Sequence, residues 1–132
     1  MKNTVKYTNK IKELIQSESE YFNISDVDSY VNKIINNANF AIEDDKGFIA
    51  YYANDFTSKK AYITMVIIDK KYRGKQIGKK LLNQVLNDLR GKEFLSVQLE
   101  VDKHNYVAYN LYSSFGFFKI DESDKIKMGI IL

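Results

Sequence analysis

The sequence contains no cysteine, no proline and no tryptophan, and its one histidine is His104. The lack of cysteine excludes disulfide bonds, thiolate nucleophiles and zinc sites with cysteine ligands. A lone histidine argues against a histidine-based metal centre as well, so we expect no metal. Because proline is absent, the ends of helices and strands have to be placed from glycine and capping residues alone.

An excess of one charge sign and long apolar runs are also missing. The formal net charge is +3, and charged residues make up 28% of the chain. This balance is far from the strongly basic composition typical of proteins that bind nucleic acid or membrane surfaces. No segment has the pattern of a secretory signal or a membrane span. We therefore expect a cytoplasmic protein without nucleic-acid or membrane partners, in which any anion site is local.

What the chain does contain is enough apolar sequence for one core. With 132 residues and 45% hydrophobic content, we expect a single domain over residues 1–132. Apolar residues at helical spacing predict helices over residues 8–17 and 26–36, the second with Ser25 as its N-cap. Residues 40–53 have the pattern of a β-hairpin.

The remainder of the chain alternates between strand and helix patterns. The nearly continuous apolar run over residues 61–68 predicts a central strand that is covered on both faces. Further patterns predict, in order, a helix over 77–89, a strand over 96–101, a helix over 105–115, and strands over 117–120 and 126–132. The element order predicts an α/β domain with a mixed sheet.

The connection between the central strand and the helix at Ile77 has the composition of a diphosphate site. Glycines at 74 and 78 allow close approach of a ligand to the backbone, and four cations surround them. The first N–H groups of a helix lack internal partners and carry the positive end of the helix dipole, so they stabilise an anion. Three residues separate the two glycines, which excludes both a P-loop and a dinucleotide fingerprint.

Two motifs resemble those of the GNAT superfamily of N-acetyltransferases. The first is the pyrophosphate loop, with pattern Arg or Gln, two residues, Gly, one residue, then Gly or Ala. Arg73 and Gly78 match its ends, while Gln76 replaces the first glycine and adds a side chain on the surface that faces the ligand. The second is Asn-x-x-Ala-x-x-Leu-Tyr followed by Gly-Phe, which residues 105–117 match at every defined position. The resemblance covers about residues 40–132.

This resemblance implies an α+β type of fold, with a mixed, mostly antiparallel central sheet flanked by helices, and acetyl-CoA as co-substrate. It also implies that backbone groups of the central strand hold the acetyl carbonyl, and that Asn105 contacts the pantetheine or phosphate region. A spacing of seven residues would place Asn105 and Tyr112 on one helix face. The cofactor-binding residues that we expect are Val66, Ile67, Ile68, Arg73, Gly74, Lys75, Gln76, Ile77, Gly78, Lys79, Asn105 and Tyr112.

The implied reaction is direct attack of a primary amine on the thioester in a ternary complex. We expect Tyr112 to protonate the leaving thiolate, because a tyrosine with a pKa near 10 is protonated at neutral pH; the alternative is a tyrosine packed beside Leu111. The general base stays open between Glu100, His104 and a chain of waters. Glu100 is the best carboxylate, and its alternative is an exposed strand residue.

The acceptor is the least determined part of the prediction. Tyr52, Asn54 and Thr64 are the expected substrate-binding residues. Aromatic residues at 21, 22, 51 and 52 could face a sugar ring, which favours an amino sugar or another small amine over a protein amine. The apolar end over residues 128–132 suggests a homodimer through a strand edge.

Two other functions compete with catalysis. Gln76 and the lack of an obvious base suggest a non-catalytic module that binds acetyl-CoA or CoA for regulation. The basic residues at 70, 71, 73, 75, 79 and 80 could instead form a nucleic-acid patch. No base-stacking motif accompanies this charge, so we disfavour the patch.

Overall fold

The structure is a computed structural model that describes residues 4–18 and 26–132. The described residues form four α-helices, two short 3-10 turns and one six-stranded sheet. The helices are α1 (Thr8–Ser17), α2 (Val27–Asn37), α3 (Ile77–Gly91) and α4 (Tyr106–Ser114), and the 3-10 turns are Thr4–Tyr7 and Lys70–Tyr72. The strands are β1 (Asn39–Glu43), β2 (Gly47–Tyr52), β3 (Lys60–Ile68), β4 (Ser96–Asp102), β5 (Phe118–Glu122) and β6 (Lys125–Ile131).

The sheet has the strand order β1-β2-β3-β4-β6-β5. Every neighbouring pair is antiparallel except β3 and β4, which run parallel. The parallel pair follows from the long crossover through α3, because parallel neighbours need a connection of this length. The prediction of a mixed, mostly antiparallel sheet with β3 inside it is therefore confirmed.

Helices cover the sheet on both faces. On one face α3 is the main contributor, with five aliphatic side chains that are almost fully buried at helical spacing: Leu81, Leu82, Val85, Leu86 and Leu89. Each contributes about 2 kcal/mol of transfer free energy. On the other face α1 and α2 pack over β1, β2 and β3 through a second buried cluster. None of the helices within residues 4–18 and 26–132 is long and apolar enough to cross a membrane.

A β-bulge explains how β3 contributes to both buried clusters. The register with β2 passes from Ala50 opposite Met65 to Tyr51 opposite Ile63, which leaves Thr64 as the extra residue. Ile63 therefore packs on the α3 side of the sheet, and Met65 packs on the α1–α2 side. The bulge bends β3 at the point where it leaves β4.

The parallel pairing of β3 and β4 ends early. Its register covers only Lys60 with Ser96, Ala61 with Val97, and Tyr62 with Gln98. Beyond Tyr62 the register of these two described strands has no further pairs, although β3 continues to Ile68 and β4 to Asp102. The result is a gap in the middle of the sheet, open in the direction of the α3 N-terminus.

One prediction about local structure is wrong. The N-cap of α2 is Asp26, whose carboxylate accepts from the backbone N of Ser29 at 3.1 Å; Ser25, the predicted cap, lies outside the described residues.

The apolar end of the chain is only partly covered by neighbouring strands. β6 pairs with β4 as far as Ile131, but with β5 only over residues 126–129, so Ile130 and Ile131 have no strand partner on the β5 side within the described residues. A homodimer through this end of β6 stays a prediction.

Candidate active site

The backbone of β3 presents two amides to the gap. Asp69, the residue after β3, donates its backbone N–H to the carbonyl oxygen of Lys46, the residue before β2, at 2.7 Å. Because successive residues of a strand point in opposite directions, the amide of Ile67 is also directed to β2, whereas those of Val66 and Ile68 point away from it, into the gap. The Ile68 carbonyl accepts from Arg73 Nε at 3.1 Å, consistent with this direction. Of the predicted trio, Ile67 is therefore the residue whose amide is already used within the sheet.

The turn after β3 brings an uncapped helix end to the same gap. The first backbone bond of α3 runs from Lys80 N to Gln76 O at 3.1 Å, so the amides of Ile77, Gly78 and Lys79 have no acceptor within the helix. Gln76, at the N-cap, makes no side-chain capping bond, whereas α2 and α4 are both closed by side chains. Three donors at the positive end of the helix dipole are thus left for an anion.

Left-handed backbone shapes this turn at two residues. Gly74 has φ of 78°, and Gln76 has φ of 66° with ψ of 18°. Glycine adopts this region without strain, while an L-residue does so at a cost of roughly 1–2 kcal/mol. The left-handed conformation therefore explains why the GNAT pyrophosphate-loop pattern has a glycine at the position that Gln76 occupies here.

Cations around the turn fall into two groups. Arg73 is bound to Glu18 at the end of α1, with Nη2 and Oε1 2.8 Å apart, and Lys80 is bound to Glu43 at 3.0 Å. Lys75 and Lys79 are exposed and form no ion pair with any residue in the described part of the chain. The two paired cations weaken the case for a nucleic-acid patch, and the two others suit a diphosphate.

Asn105 serves first as the N-cap of α4. Its Oδ1 accepts from Ala108 N at 3.1 Å, and the helix begins only at Tyr106. The backbone of Asn105 is not helical, with φ of −87° and ψ of 74°. The helix therefore begins one residue later than predicted, with Asn105 at its first turn and Tyr112 inside it. The shared face of these two residues stays a prediction.

Tyr112 is the buried residue of α4. Its side chain is 6% exposed, and its ring lies 5.8 Å from the ring of Phe117 in the cluster on the α3 side. Leu111 packs against the same cluster and approaches α3 closely, since a Cβ on Gly78 would lie 3.2 Å from Leu111 Cδ2. The packing alternative accounts for the ring of Tyr112, and a chemical role can belong only to its hydroxyl.

The opposite face of the gap carries Glu100. Val97, Leu99 and Val101 of β4 are buried on the α3 side, so the alternating Glu100 side chain projects on the α1–α2 side. There the Tyr62 hydroxyl donates to Glu100 Oε1 at 3.1 Å. Burial raises the pKa of Tyr62 to about 12, with the negative charge of Glu100 as the next cause.

Tyr62 is a site residue that sequence reasoning missed. It is the last residue of β3 paired with β4, and it lies opposite Tyr52 of β2. Burial and the nearby Tyr30 of α2 also raise the pKa of Tyr52. The available signal was a tyrosine in a mostly apolar strand, at the same alternation as Glu100.

The other predicted acceptor residues are only partly brought together. Thr64 is the bulge residue beside the gap, but Asn54 follows Tyr52 in the direction away from it and donates to Asn37 O at 3.4 Å. Tyr51 points to the other face, where its hydroxyl bonds to Asp88 at 2.6 Å, so it cannot face an acceptor. His104 is exposed in the turn before α4. Residues 21 and 22 lie outside the described residues.

Comparison with known proteins agrees with this geometry. The profile of the acetyltransferase (GNAT) family matches residues 9–117. The chain therefore belongs to the acetyltransferase (GNAT) family, as the two sequence motifs predicted. The family is described as one of acetyltransferases.

Individual relatives extend the comparison. The chain is 31% identical over 61 residues to N-alpha-acetyltransferase 30 of Saccharomyces cerevisiae, a match over 46% of this chain and 35% of that protein, so it spans about a third of that relative. PaiA N-acetyltransferase from Thermoplasma acidophilum, in complex with coenzyme A, has a TM-score of 0.79 at 21% identity over 100% of this chain and 97% of that one. PH1933 from Pyrococcus horikoshii has a TM-score of 0.78 at 28% identity, with coverage of 100% and 94%. The fold is that of GNAT acetyltransferases.

Proposed function

We propose that the protein transfers the acetyl group of acetyl-CoA to a primary amine, by direct attack within a ternary complex. The observation that carries this proposal is the gap between β3 and β4, with an uncapped helix N-terminus on one face of the sheet and a carboxylate on the other. Two substrates can meet through such a gap, each from its own side.

The residues around the turn fit the diphosphate of acetyl-CoA. The amides of Ile77, Gly78 and Lys79 provide directed donors, and the exposed side chains of Lys75 and Lys79 provide positive charge. Arg73 would have to exchange Glu18 for a phosphate, which is favourable because a phosphate carries more charge and accepts in bidentate geometry. Salt should weaken the interaction, since all these groups are at the surface.

The amides of Val66 and Ile68 are the donors that we assign to the thioester carbonyl. They belong to a strand that the bulge and β2 hold in place, so they need little reorganisation as negative charge develops on the oxygen. The loss of one such donor typically costs roughly 10²–10³ in rate. The polar groups of the bulge at Thr64 lie in the same stretch of β3.

Two side chains are assigned to proton transfer. Tyr112 would donate its hydroxyl proton to the departing thiolate, and Glu100 would receive the proton that the amine loses. Tyr112 lies on the α3 side of the sheet and Glu100 on the other side, so the acid and the base act from opposite faces of the gap. His104 and a water chain stay as the alternatives for the base.

The acceptor class is also a proposal. We infer a small primary amine, such as an amino sugar, because Tyr62 bonds to Glu100 and Tyr52 lies opposite Tyr62 in the β2–β3 register, which gives an aromatic surface near the carboxylate. Tyr51 points to the other face of the sheet, so one of the aromatic residues that favoured an amino sugar cannot contact it. Similarity to an N-alpha-acetyltransferase over 61 residues makes peptide α-amines the class to test alongside it.

A second candidate is a module that binds acetyl-CoA without catalysis. The specific observation behind it is Gln76, which holds a strained conformation at the point where a diphosphate would approach. Titration calorimetry with acetyl-CoA, together with a thiol-release assay over amino sugars, polyamines and short peptides, separates the candidates. We expect binding and amine-dependent thiol release. Binding without release on any amine would favour the module, and no binding would refute both.

A further inference from the structure

Tyr62 stands where the two central strands part. It is opposite Gln98 in the last pair of the β3–β4 register, while Glu100 is the next residue of β4 on the same face. The hydrogen bond from the Tyr62 hydroxyl to Glu100 Oε1 therefore spans the closed end of the gap. It joins two strands that have no backbone pairing beyond this point within the described chain.

This bond fixes the direction of a carboxylate that would otherwise rotate freely. Glu100 is exposed, and an exposed glutamate samples several rotamers. With Oε1 held by the Tyr62 hydroxyl, Oε2 is the oxygen of Glu100 that this bond leaves for another donor. A half-buried tyrosine hydroxyl also needs such an acceptor, because burial without one is costly.

We propose that Tyr62 is a positioning residue, whose hydroxyl holds the Glu100 carboxylate so that Oε2 faces the amine entering the gap. The inference rests on the proposed function, since it assumes that Glu100 receives the amine proton. Tyr62 itself exchanges no proton in this scheme. Its effect is exerted wholly through Glu100.

Other groups near Glu100 define what the experiment has to separate. Lys127 of β6 is its register partner, and Asp102 lies two residues along β4 on the same face. The other ionisable residues on this side are Tyr62 of β3 and Tyr30 of α2, which interacts electrostatically with Tyr62. The charges of Lys127 and Asp102 stay in place when a hydroxyl is removed from Tyr62, so a change in Tyr62→Phe reports on the hydroxyl alone.

The first test observes the hydrogen bond to Glu100 and needs no catalysis. The side-chain carboxyl carbon of Glu100 is observed by ¹³C NMR at neutral pH in the wild type, Tyr62→Phe and Tyr51→Phe. Loss of the hydrogen bond from the Tyr62 hydroxyl should shift the Glu100 resonance in Tyr62→Phe, because the carboxylate oxygen loses its donor. Tyr51→Phe removes an equivalent hydroxyl-to-carboxylate bond on the other face and should leave the Glu100 resonance unchanged. An unchanged Glu100 resonance in Tyr62→Phe would overturn the proposal.

The second test asks whether the bond serves the reaction. In the thiol-release assay, Tyr62→Phe should lower kcat about tenfold with little change in the KM for acetyl-CoA, as expected for a misplaced base. In the Glu100→Gln background the same substitution should have almost no further effect, because the two residues act as one unit. Equal, additive effects in both backgrounds would overturn the positioning role. If the wild type releases no thiol with any amine, the proposed function fails, while the NMR test still decides whether Tyr62 controls the carboxylate.

Discussion

Gln76 provides a quantitative test of the diphosphate turn. Its φ of 66° is one that glycine adopts freely and glutamine does not. Gln76→Gly should remove a strain of about 1.5 kcal/mol and add about 0.7 kcal/mol of unfolded-state entropy, a net stabilisation of about 0.8 kcal/mol. For a chain of this size that gain corresponds to a rise in Tm of about 3 °C.

The same substitution should strengthen cofactor binding. Without the Gln76 side chain, a phosphate can approach the amides of Ile77 and Gly78 directly. One added net hydrogen bond, about 1 kcal/mol, lowers Kd for acetyl-CoA about fivefold, which titration calorimetry resolves. The thermal transition measured by circular dichroism gives the stability on the same samples.

Two control variants separate the backbone strain at residue 76 from the obstruction of the phosphate by the Gln76 side chain. Gln76→Ala removes the bulk of the side chain but keeps the strained conformation, so it should improve affinity without raising Tm. Gly74→Ala introduces strain at φ of 78° in a position where the new Cβ meets nothing within 4 Å, so it should cost about 1–2 kcal/mol. If Gln76→Gly changes neither Tm nor affinity, the left-handed turn and its place in the diphosphate site are both refuted.

Three further substitutions test the site and the core around it. Tyr112→Phe keeps the buried ring and removes only the hydroxyl, so steady-state kinetics should show kcat reduced by roughly 10²–10⁴ with little change in acetyl-CoA affinity. Tyr51→Phe removes the 2.6 Å bond to Asp88 and should cost about 1–2 kcal/mol in urea unfolding at neutral pH. Gly47→Ala should cost at least about 2 kcal/mol in the same assay, because the new Cβ would lie 2.7 Å from Ile67 O, a backbone atom that cannot move aside.

The Tyr51 effect should also depend on pH. Burial alone would raise the pKa of Asp88, but the bonds from Tyr51 and Lys92 outweigh it and hold that pKa below its ordinary value of 3.8. A depressed carboxyl pKa gives stability that is present above the ordinary value and is lost as pH falls through the folded one. The difference between Tyr51→Phe and wild type should therefore shrink below pH 3.8, and a constant difference would contradict the pairing.

Each remaining variant also has an outcome that would contradict the structure. Wild-type turnover in Tyr112→Phe would leave that tyrosine with packing alone. Gly129→Ala is the control for Gly47→Ala, since its Cβ would meet the flexible end of the Ile120 side chain at 2.6 Å. Equal losses in the two glycine variants would show that the close approach at Gly47 is not rigid.

Helices and strands were predictable because their signal is local. The spacing of apolar residues from Ile77 to Leu89 has the period of a helix with one buried face, and α3 follows it. The alternation from Val97 to Val101 likewise assigned the inner face of β4. The two family motifs then located the turn at the start of α3 and the helix α4.

What could not be predicted depends on contacts between distant segments. The bulge at Thr64 exists only relative to β2, and it decides which face each later residue of β3 occupies. The approach of Tyr62 to Glu100 spans 38 residues of sequence and follows from where the β3–β4 register ends. Asn105 was placed inside a helix because spacing does not reveal that its side chain turns back to cap it.

The most direct measurement for the whole account is a crystal structure of the protein with coenzyme A. The account predicts the diphosphate on the amides of residues 77–79 and the sulfur in the gap between β3 and β4, within reach of the Tyr112 hydroxyl. Coenzyme A bound elsewhere, or a turn at residues 73–79 without the diphosphate, would contradict it.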